Sequence, residues 1–205
     1  ANLISSYAWP SNDTVGTTFG GIIGHASSGI VLDCKNYGAV NFTADIAKLA
    51  TKTNDKGKID NVYPTIGGIS GYCGSNVNGS ENHGVITVTG DHPTTAGLMV
   101  AGICGRNGNN KGMLNNLNKG AIIVNVTNVA GSFAVSGGAC SFPAGTTDNC
   151  VNDAPITITA TVTSADTMVG GVLTGDTNAK YQAVYSNLTN TENGTITIKA
   201  GSSFK

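Results

Sequence analysis

Residues 82–89 read NHGVITVT, and this stretch decides the fold because both of its halves recur along the chain. The first half is an Asn-x-Gly corner. Related corners, of decreasing fidelity, are Asn36-Tyr37-Gly38, Asn118-Lys119-Gly120, Asn152-Asp153-Ala154 and Glu192-Asn193-Gly194. Asn and Gly accept left-handed backbone more readily than other residues. The recurrence therefore predicts one tight bend in every copy of a repeat.

The second half alternates apolar and polar residues with the period of two that is typical of a strand. The apolar positions are Val40, Ile86, Ile122, Ile156 and Ile196, then Phe42, Val88, Val124, Ile158 and Ile198. The alternate positions are polar except for Ile123: Asn41, Thr87, Thr157 and Thr197, then Thr43, Thr89, Asn125, Thr159 and Lys199. One face of each strand is predicted to be buried and the other to meet water, in the same register five times.

A glycine motif precedes each corner. It is Gly20-Gly21-Ile22-Ile23-Gly24 in the first copy, and it recurs as Gly67-Gly68-Ile69-Ser70-Gly71, Ala101-Gly102-Ile103-Cys104-Gly105, Gly137-Gly138-Ala139-Cys140 and Gly170-Gly171-Val172-Leu173. Counted between their second glycines, the motifs lie 47, 34, 36 and 33 residues apart. A repeat of this length with short strands predicts either a β-propeller or a solenoid.

The corner asparagines favour the solenoid. If successive coils stack about 4.8 Å apart, Asn36, Asn82, Asn118 and Asn152 can hydrogen-bond to one another in a structural ladder at the corner. We therefore predict an all-β fold, a parallel β-solenoid of about five coils of 33–47 residues, with roughly three strands per coil. The crossover preference predicts a right-handed β-helix.

The whole chain, residues 1–205, is predicted to form this single solenoid domain. Residues 1–18, with Tyr7 and Trp9, are expected to form an N-terminal cap over the first coil, since solenoids need covered ends. Residues 44–65 are an insertion in the first coil, and residues 44–50 favour one or two helical turns.

Composition excludes several classes of protein. Only 11% of the 205 residues are charged, the formal net charge is -1, and Arg106 is the only arginine. A nucleic-acid-binding protein would carry a basic surplus, and no apolar run approaches the roughly 18–20 residues of a membrane span. A Gly-rich chain with these strand patterns predicts a secreted, extracellular protein with no nucleic-acid partner.

Large or polar side chains follow each glycine motif. Stacking of the coils would place them along a single edge of the solenoid. They are His25, Tyr72, Arg106, Asn107, Phe142, Asp176 and Tyr181. Aromatic, Arg and Asn side chains in a column suit a sugar or a peptide, through stacking and paired hydrogen bonds. The alternative is that they belong to ordinary solvated loops.

No catalytic residue, metal site or cofactor is predicted. Glycoside hydrolases need two carboxylates flanking the scissile bond, and no aspartate of this chain recurs at one rung beside another. The chain has no Cys-x-x-Cys pair that would indicate zinc.

The five cysteines can be sorted by their place in the repeat. Cys104 and Cys140 are assigned to the same place in consecutive coils, at a separation that permits a disulfide. Cys34 and Cys150 also share a place, but three coils separate them. The alternative for all five is a set of small buried thiols.

The glycine motif and the Asn-x-Gly-x-Ile pattern together resemble the GLUG-type repeats of bacterial cell-surface and adhesin-like proteins, over residues 18–198. Coil four departs from the pattern at Ala154 and Pro155. The resemblance implies a secreted or surface-anchored, non-catalytic module of a longer chain.

These observations predict a structural or binding module of an adhesin-like protein. Its expected partner is a glycan or a host-surface polymer, and the sequence does not predict its oligomeric state. The alternative is a carbohydrate-active enzyme of the β-helix type, either a polysaccharide lyase or a glycoside hydrolase.

Overall fold

The computed structural model describes residues 2–4, 18–43, 51–53, 59–61, 64–91, 98–108, 111–129, 133–140, 145–162, 167–174 and 183–200. In these ranges the regular elements are β-strands, wound into five coils, and nearly every strand pairs in parallel with its equivalent in the next coil. The predicted parallel β-solenoid is confirmed. Within the same ranges no helix has the length and apolar character needed to cross a membrane.

The first three coils each contain five strands. Coil one has β2 (Thr18–Gly20), β3 (Ile23–Ala26), β4 (Ile30–Leu32), β5 (Lys35–Asn36) and β6 (Val40–Thr43). Coil two has β9 (Thr65–Gly67), β10 (Ser70–Cys73), β11 (Asn76–Asn78), β12 (Glu81–Asn82) and β13 (Ile86–Asp91). Coil three has β14 (Leu98–Ala101), β15 (Cys104–Asn107), β16 (Met113–Leu114), β17 (Leu117–Asn118) and β18 (Ile122–Val129).

The last two coils replace the second strand by a single bridge, at Ala139 and at Leu173. Coil four has β19 (Phe133–Ser136), β20 (Thr146–Asp148), β21 (Val151–Asn152) and β22 (Ile156–Val162). Coil five has β23 (Thr167–Gly170), β24 (Val184–Ser186), β25 (Thr189–Asn190) and β26 (Ile196–Ala200). The prediction of three strands per coil was wrong, because the short segments before each corner pair as separate strands.

Three further strands lie outside the coils. β1 (Asn2–Ile4) pairs in parallel with β6, one rung before coil one. In the predicted insertion, β7 (Thr51–Thr53) and β8 (Ile59–Asn61) form an antiparallel pair. Residues 44–50, where helical turns were predicted, and the cap residues Tyr7 and Trp9 lie outside the described residues.

The predicted interior file is present. Val40, Ile86, Ile122, Ile156 and Ile196 pair in register from coil to coil. The first four side chains are at most 1% exposed, whereas Ile196, in the last coil, is 40% exposed. Alternate residues along these strands face outward, as the period of two requires.

Two apolar clusters fill the solenoid. The first lies between the sheet of β6, β13, β18 and β22 and the sheet of β2, β9, β14 and β19, and it includes Phe42, Ile66 and Phe133. The second includes Val31, Ile69, Val77, Ile103 and Met113. Along each coil the chain leaves the first cluster at the glycine motif and returns to it after the Asn corner.

The corner asparagines form a buried hydrogen-bonded ladder between these clusters. Each Nδ2 donates to the Oδ1 of the next asparagine: Asn36 to Asn82 at 2.9 Å, Asn82 to Asn118 at 2.9 Å, Asn118 to Asn152 at 2.8 Å and Asn152 to Asn190 at 2.8 Å. Each Nδ2 also donates to a carbonyl of its own corner, that of Gly38, Gly84, Gly120 or Ala154. Both amide hydrogens are used, so the amides can be buried at little cost.

The fifth rung of the ladder is Asn190, not a residue of the predicted corner Glu192-Asn193-Gly194. Asn190 Nδ2 donates to the carbonyl oxygen of Gly194, four residues on, whereas the other corners close after two. The coil-five corner is therefore two residues longer than the others. For this reason the sequence pattern aligned Glu192, and not Asn190, with the corner asparagines.

One glycine of each motif makes room for the ladder. A Cβ on Gly68, Gly102, Gly137 or Gly171 would overlap the side chain of the ladder asparagine in the same coil. Any larger residue would push the amide out of its column. The two recurring motifs are therefore the two halves of one contact.

This contact corrects the register of coil four. Gly137, and not Gly138, faces Asn152, and Ala139 bridges to Cys104. The equivalent glycines are then Gly21, Gly68, Gly102, Gly137 and Gly171, which lie 47, 34, 35 and 34 residues apart. Either Gly137 or Gly138 can be aligned with the second glycine of the other motifs. The predicted alignment used Gly138, and the structure shows that the equivalent residue is Gly137.

A second column of bends lies three residues before the ladder. Asp33, Gly79, Asn115, Asn149 and Asn187 all have positive φ, between 50° and 61°. These are residue types that tolerate left-handed backbone. A search for Asp, Gly or Asn at this offset would have found the column, and it would also have identified Asn190.

Replacing Asn118 by alanine is expected to lower the free energy of unfolding by roughly 3 kcal/mol, because several buried polar groups lose their partners. Equilibrium urea unfolding measures the effect. Asn125→Ala, on the exposed face of the same coil, is the matched control and should change stability by less than about 0.5 kcal/mol. Equal effects of the two variants would contradict the structural role of the ladder.

Candidate functional site

Three of the seven predicted ligand-binding residues lie side by side. The register of β3, β10 and β15 places Tyr72 between His25 and Arg106. The rings of His25 and Tyr72 have centroids 4.9 Å apart at 43°, and Arg106 Cζ lies 5.9 Å from the centroid of the Tyr72 ring. We call these three residues the stacked column.

Two glycines lie beside the Tyr72 ring. A Cβ on Gly74 would lie 3.3 Å from Tyr72 Cε1, and a Cβ on Gly108 would lie 3.4 Å from Tyr72 Oη. The ring therefore lies close to two stretches of bare backbone. His25 is exposed, and Tyr72 and Arg106 are partly exposed, so the stacked column can be reached from solvent.

Asn107 does not join the stacked column. It is buried, its Nδ2 donates to the carbonyl oxygen of Lys111 at 3.1 Å, and its Oδ1 accepts from the Gly108 amide at 3.0 Å. The Asn107 amide thus holds its own loop together instead of facing a ligand.

The other three predicted residues, Phe142, Asp176 and Tyr181, lie outside the described residues. The one-residue shift in coil four removes the argument that placed Phe142 at the position of Arg106.

All five cysteines are free, and all but Cys34 are buried, so Cys104 and Cys140 do not form the disulfide that their assigned places would permit. Cys104 is paired with Ala139, so Cys140 is one position further along and faces another side. Cys104 Sγ donates to the carbonyl oxygen of Arg106 at 3.1 Å, whereas Cys140 Sγ donates to that of Val100 at 2.9 Å.

Burial makes these thiols poor nucleophiles. It raises the pKa of the Cys140 thiol to about 12 and holds the pKa of Cys104 well above its usual value. The thiolate is the reactive form, so neither residue is suited to chemistry at neutral pH.

A second polar cluster, which the sequence reasoning missed, lies beside the Asn corners of coils one and two. The two oxygens of the Glu81 carboxylate are shared between two partners: Oε1 lies 2.8 Å from Lys35 Nζ and Oε2 lies 2.9 Å from His83 Nε2. The His83 ring stacks on Tyr37 at 4.8 Å and 20°. These residues flank Asn36 and Asn82, so the ladder spacing itself was the signal that could have predicted them.

We call Lys35, Tyr37, Glu81 and His83 the corner cluster, and its charged groups stabilise one another. Hydrogen bonds from Lys35 and then His83 lower the pKa of the Glu81 carboxyl, and the bond to Glu81 raises the pKa of the Lys35 ammonium. Among the residues that the structure describes, no three His, Cys, Asp or Glu side chains come together in a way that could hold a metal ion.

No family model matches this chain, and neither a curated protein nor a solved structure shows significant similarity to it.

The thiols are expected to differ sharply in reactivity. Native protein at pH 8 should react with a thiol reagent mainly at Cys34, the one cysteine that is not buried, whereas denatured protein should expose all five. The non-reducing mass should not change on reduction. A gain of two hydrogens on reduction would show a disulfide and contradict the structure.

Glu81→Gln is expected to be destabilising above pH 4.5 and neutral in strong acid. A carboxyl group whose folded pKa lies below its usual 4.5 stabilises the fold above that value, and the stabilisation is lost as pH falls through the folded pKa. Urea unfolding of both proteins from pH 6 to about pH 3 measures the difference, which added salt should shrink. Glu192→Gln controls for the loss of a negative charge, and a pH-independent difference for Glu81→Gln would contradict this account.

Proposed function

We propose that this chain is a non-catalytic binding module of a secreted or surface-anchored bacterial protein, that its coils are repeats of the GLUG type, and that the stacked column holds a glycan. The observation that carries the proposal is the alignment of an imidazole, a phenol ring and a guanidinium on three successive coils.

The chemistry of the stacked column supports a sugar ligand. An aromatic ring offers an apolar face and a polar tip, which suits the mixed surface of a pyranose. A guanidinium presents several donors in a fixed fork, which suits paired oxygens. A chain of sugar units that runs along the solenoid axis would meet one such side chain on each coil.

The setting of the stacked column favours binding as it stands. His25, Tyr72 and Arg106 are on paired strands, and glycine backbone lies close to the Tyr72 ring. Side chains held on rigid strands lose little freedom when a ligand binds. The column can therefore bind without rearrangement of the coil.

The GLUG-type resemblance supports the setting and not the ligand. The residues that carry it, the glycine motif and the Asn-x-Gly corner, are those that form the asparagine–glycine contact of each coil. They imply an exported repeat protein, whereas the side chains of the stacked column belong to the variable positions between them.

The double variant Tyr72→Ala/Arg106→Ala is expected to weaken binding to the best glycan of a polysaccharide and glycan panel at least tenfold, or about 1.4 kcal/mol. Tyr37→Ala, which removes a more exposed aromatic ring at a different corner, is the matched control and should bind like the parent protein. Unchanged binding by the double variant would remove the stacked column from consideration. Release of reducing or unsaturated sugar products would favour an enzyme instead.

A further inference from the structure

The two ends of the solenoid differ in how well their interior is covered. In coil one the inward side chains of Phe19, Val31, Val40 and Phe42 are all buried. In coil five the inward Ile196 and Ile198 are 40% and 43% exposed, although Ile156 and Ile158, one rung earlier, are completely buried. The C-terminal end of the described solenoid is therefore the open end.

Three sheets also end at coil five among the described strands. β23, β25 and β26 are terminal strands of their sheets in the described part of the chain. The outer edge of each strand presents hydrogen-bonding groups that every earlier coil uses to hold the next one. Such an edge is a ready template for a further strand.

The asparagine ladder is also incomplete at this end. Asn36, Asn82, Asn118 and Asn152 each donate to an asparagine one coil further on, whereas the one acceptor of the Asn190 amide among the described residues is the carbonyl oxygen of Gly194. Its second amide hydrogen is left at the position where the next Oδ1 would lie. The open end thus offers a hydrogen-bond donor at one defined point, beside an apolar file.

From the open apolar file, the edges of β23, β25 and β26 and the unused ladder donor, we infer that coil five is a docking site for an extended segment with the same Asn-x-Gly-x-Ile pattern, bound in parallel and in register. The interface it would form is the one that the structure already shows four times between coils. The partner is defined by its chemistry: an Asn oxygen to meet Asn190, and alternating apolar residues to cover Ile196 and Ile198. This is strand addition to a sheet edge.

The probe for this inference is a fluorescently labelled peptide of residues 113–127, which carries the corner and strand of coil three. The 205-residue chain is expected to bind it saturably in an anisotropy titration. Replacing the peptide asparagine that corresponds to Asn118 by leucine should weaken binding at least tenfold, because the Asn190 donor loses its acceptor.

The chain variant Ile196→Lys/Ile198→Lys should also lose at least tenfold in affinity, because it places charge on the open apolar file. Thr157→Lys/Thr159→Lys is the matched control, with the same added charge on the outward face of coil four, and it should bind normally. Circular dichroism and urea unfolding would show that each variant is folded.

Three results would overturn the inference: no saturable binding up to about 1 mM peptide, equal binding of the leucine peptide, or full binding by Ile196→Lys/Ile198→Lys. Sedimentation of the chain alone tests the other occupant. A dimer that Ile196→Lys/Ile198→Lys abolishes would assign the open end to a second copy and overturn the proposed partner. Loss of glycan binding would leave this inference untouched, because the stacked column and the open end share no residue.

Discussion

The contact between an asparagine amide and a glycine backbone, made once in every coil, is the constraint on which the rest of the structure depends. The amide lies between two apolar clusters, where an unpaired polar group would be costly. Its hydrogens are used by its own corner and by the next asparagine, and glycine alone leaves space for it. Since each rung needs the next, the contact sets which residues stack and fixes the register of all five coils.

The surface follows from this register. Residues of successive coils that directly precede or follow a ladder asparagine are neighbours, whatever their chemistry. Lys35 meets Glu81 because each precedes a ladder asparagine, and Tyr37 meets His83 because each follows one. The stacked column arises in the same way at the glycine motif, because His25, Tyr72 and Arg106 each lie four residues after the glycine that contacts the ladder. A solenoid therefore converts a one-dimensional pattern into rows of side chains, and its binding properties depend on the residues that happen to share an offset.

The same logic explains how far the sequence could predict the structure. The parallel stack, the interior file and four rungs of the ladder were predictable, because alternation and the Asn-x-Gly corner are local patterns. Coil four was misaligned because Cys140 replaces the third glycine of the motif, and its thiol fits against the carbonyl oxygen of Val100. Asn190 was missed because its corner has two extra residues, and the later Asn193-Gly194 pair looks like the end of a corner of ordinary length. In both cases a contact across the coil decides between local alignments that look equally good.

The candidate site was only partly predictable, for a different physical reason. The shared offset was enough to bring His25, Tyr72 and Arg106 together, but it could not show that Asn107 turns inward to hold its loop. The repeated asparagines and glycines are buried in contact with one another, so they are unavailable to a ligand. The stacked column instead changes from imidazole to phenol to guanidinium within one register. Positions required for folding keep one residue or one chemical type in each coil, as the ladder and the interior file do, so this change of chemistry favours a role in contact with a partner.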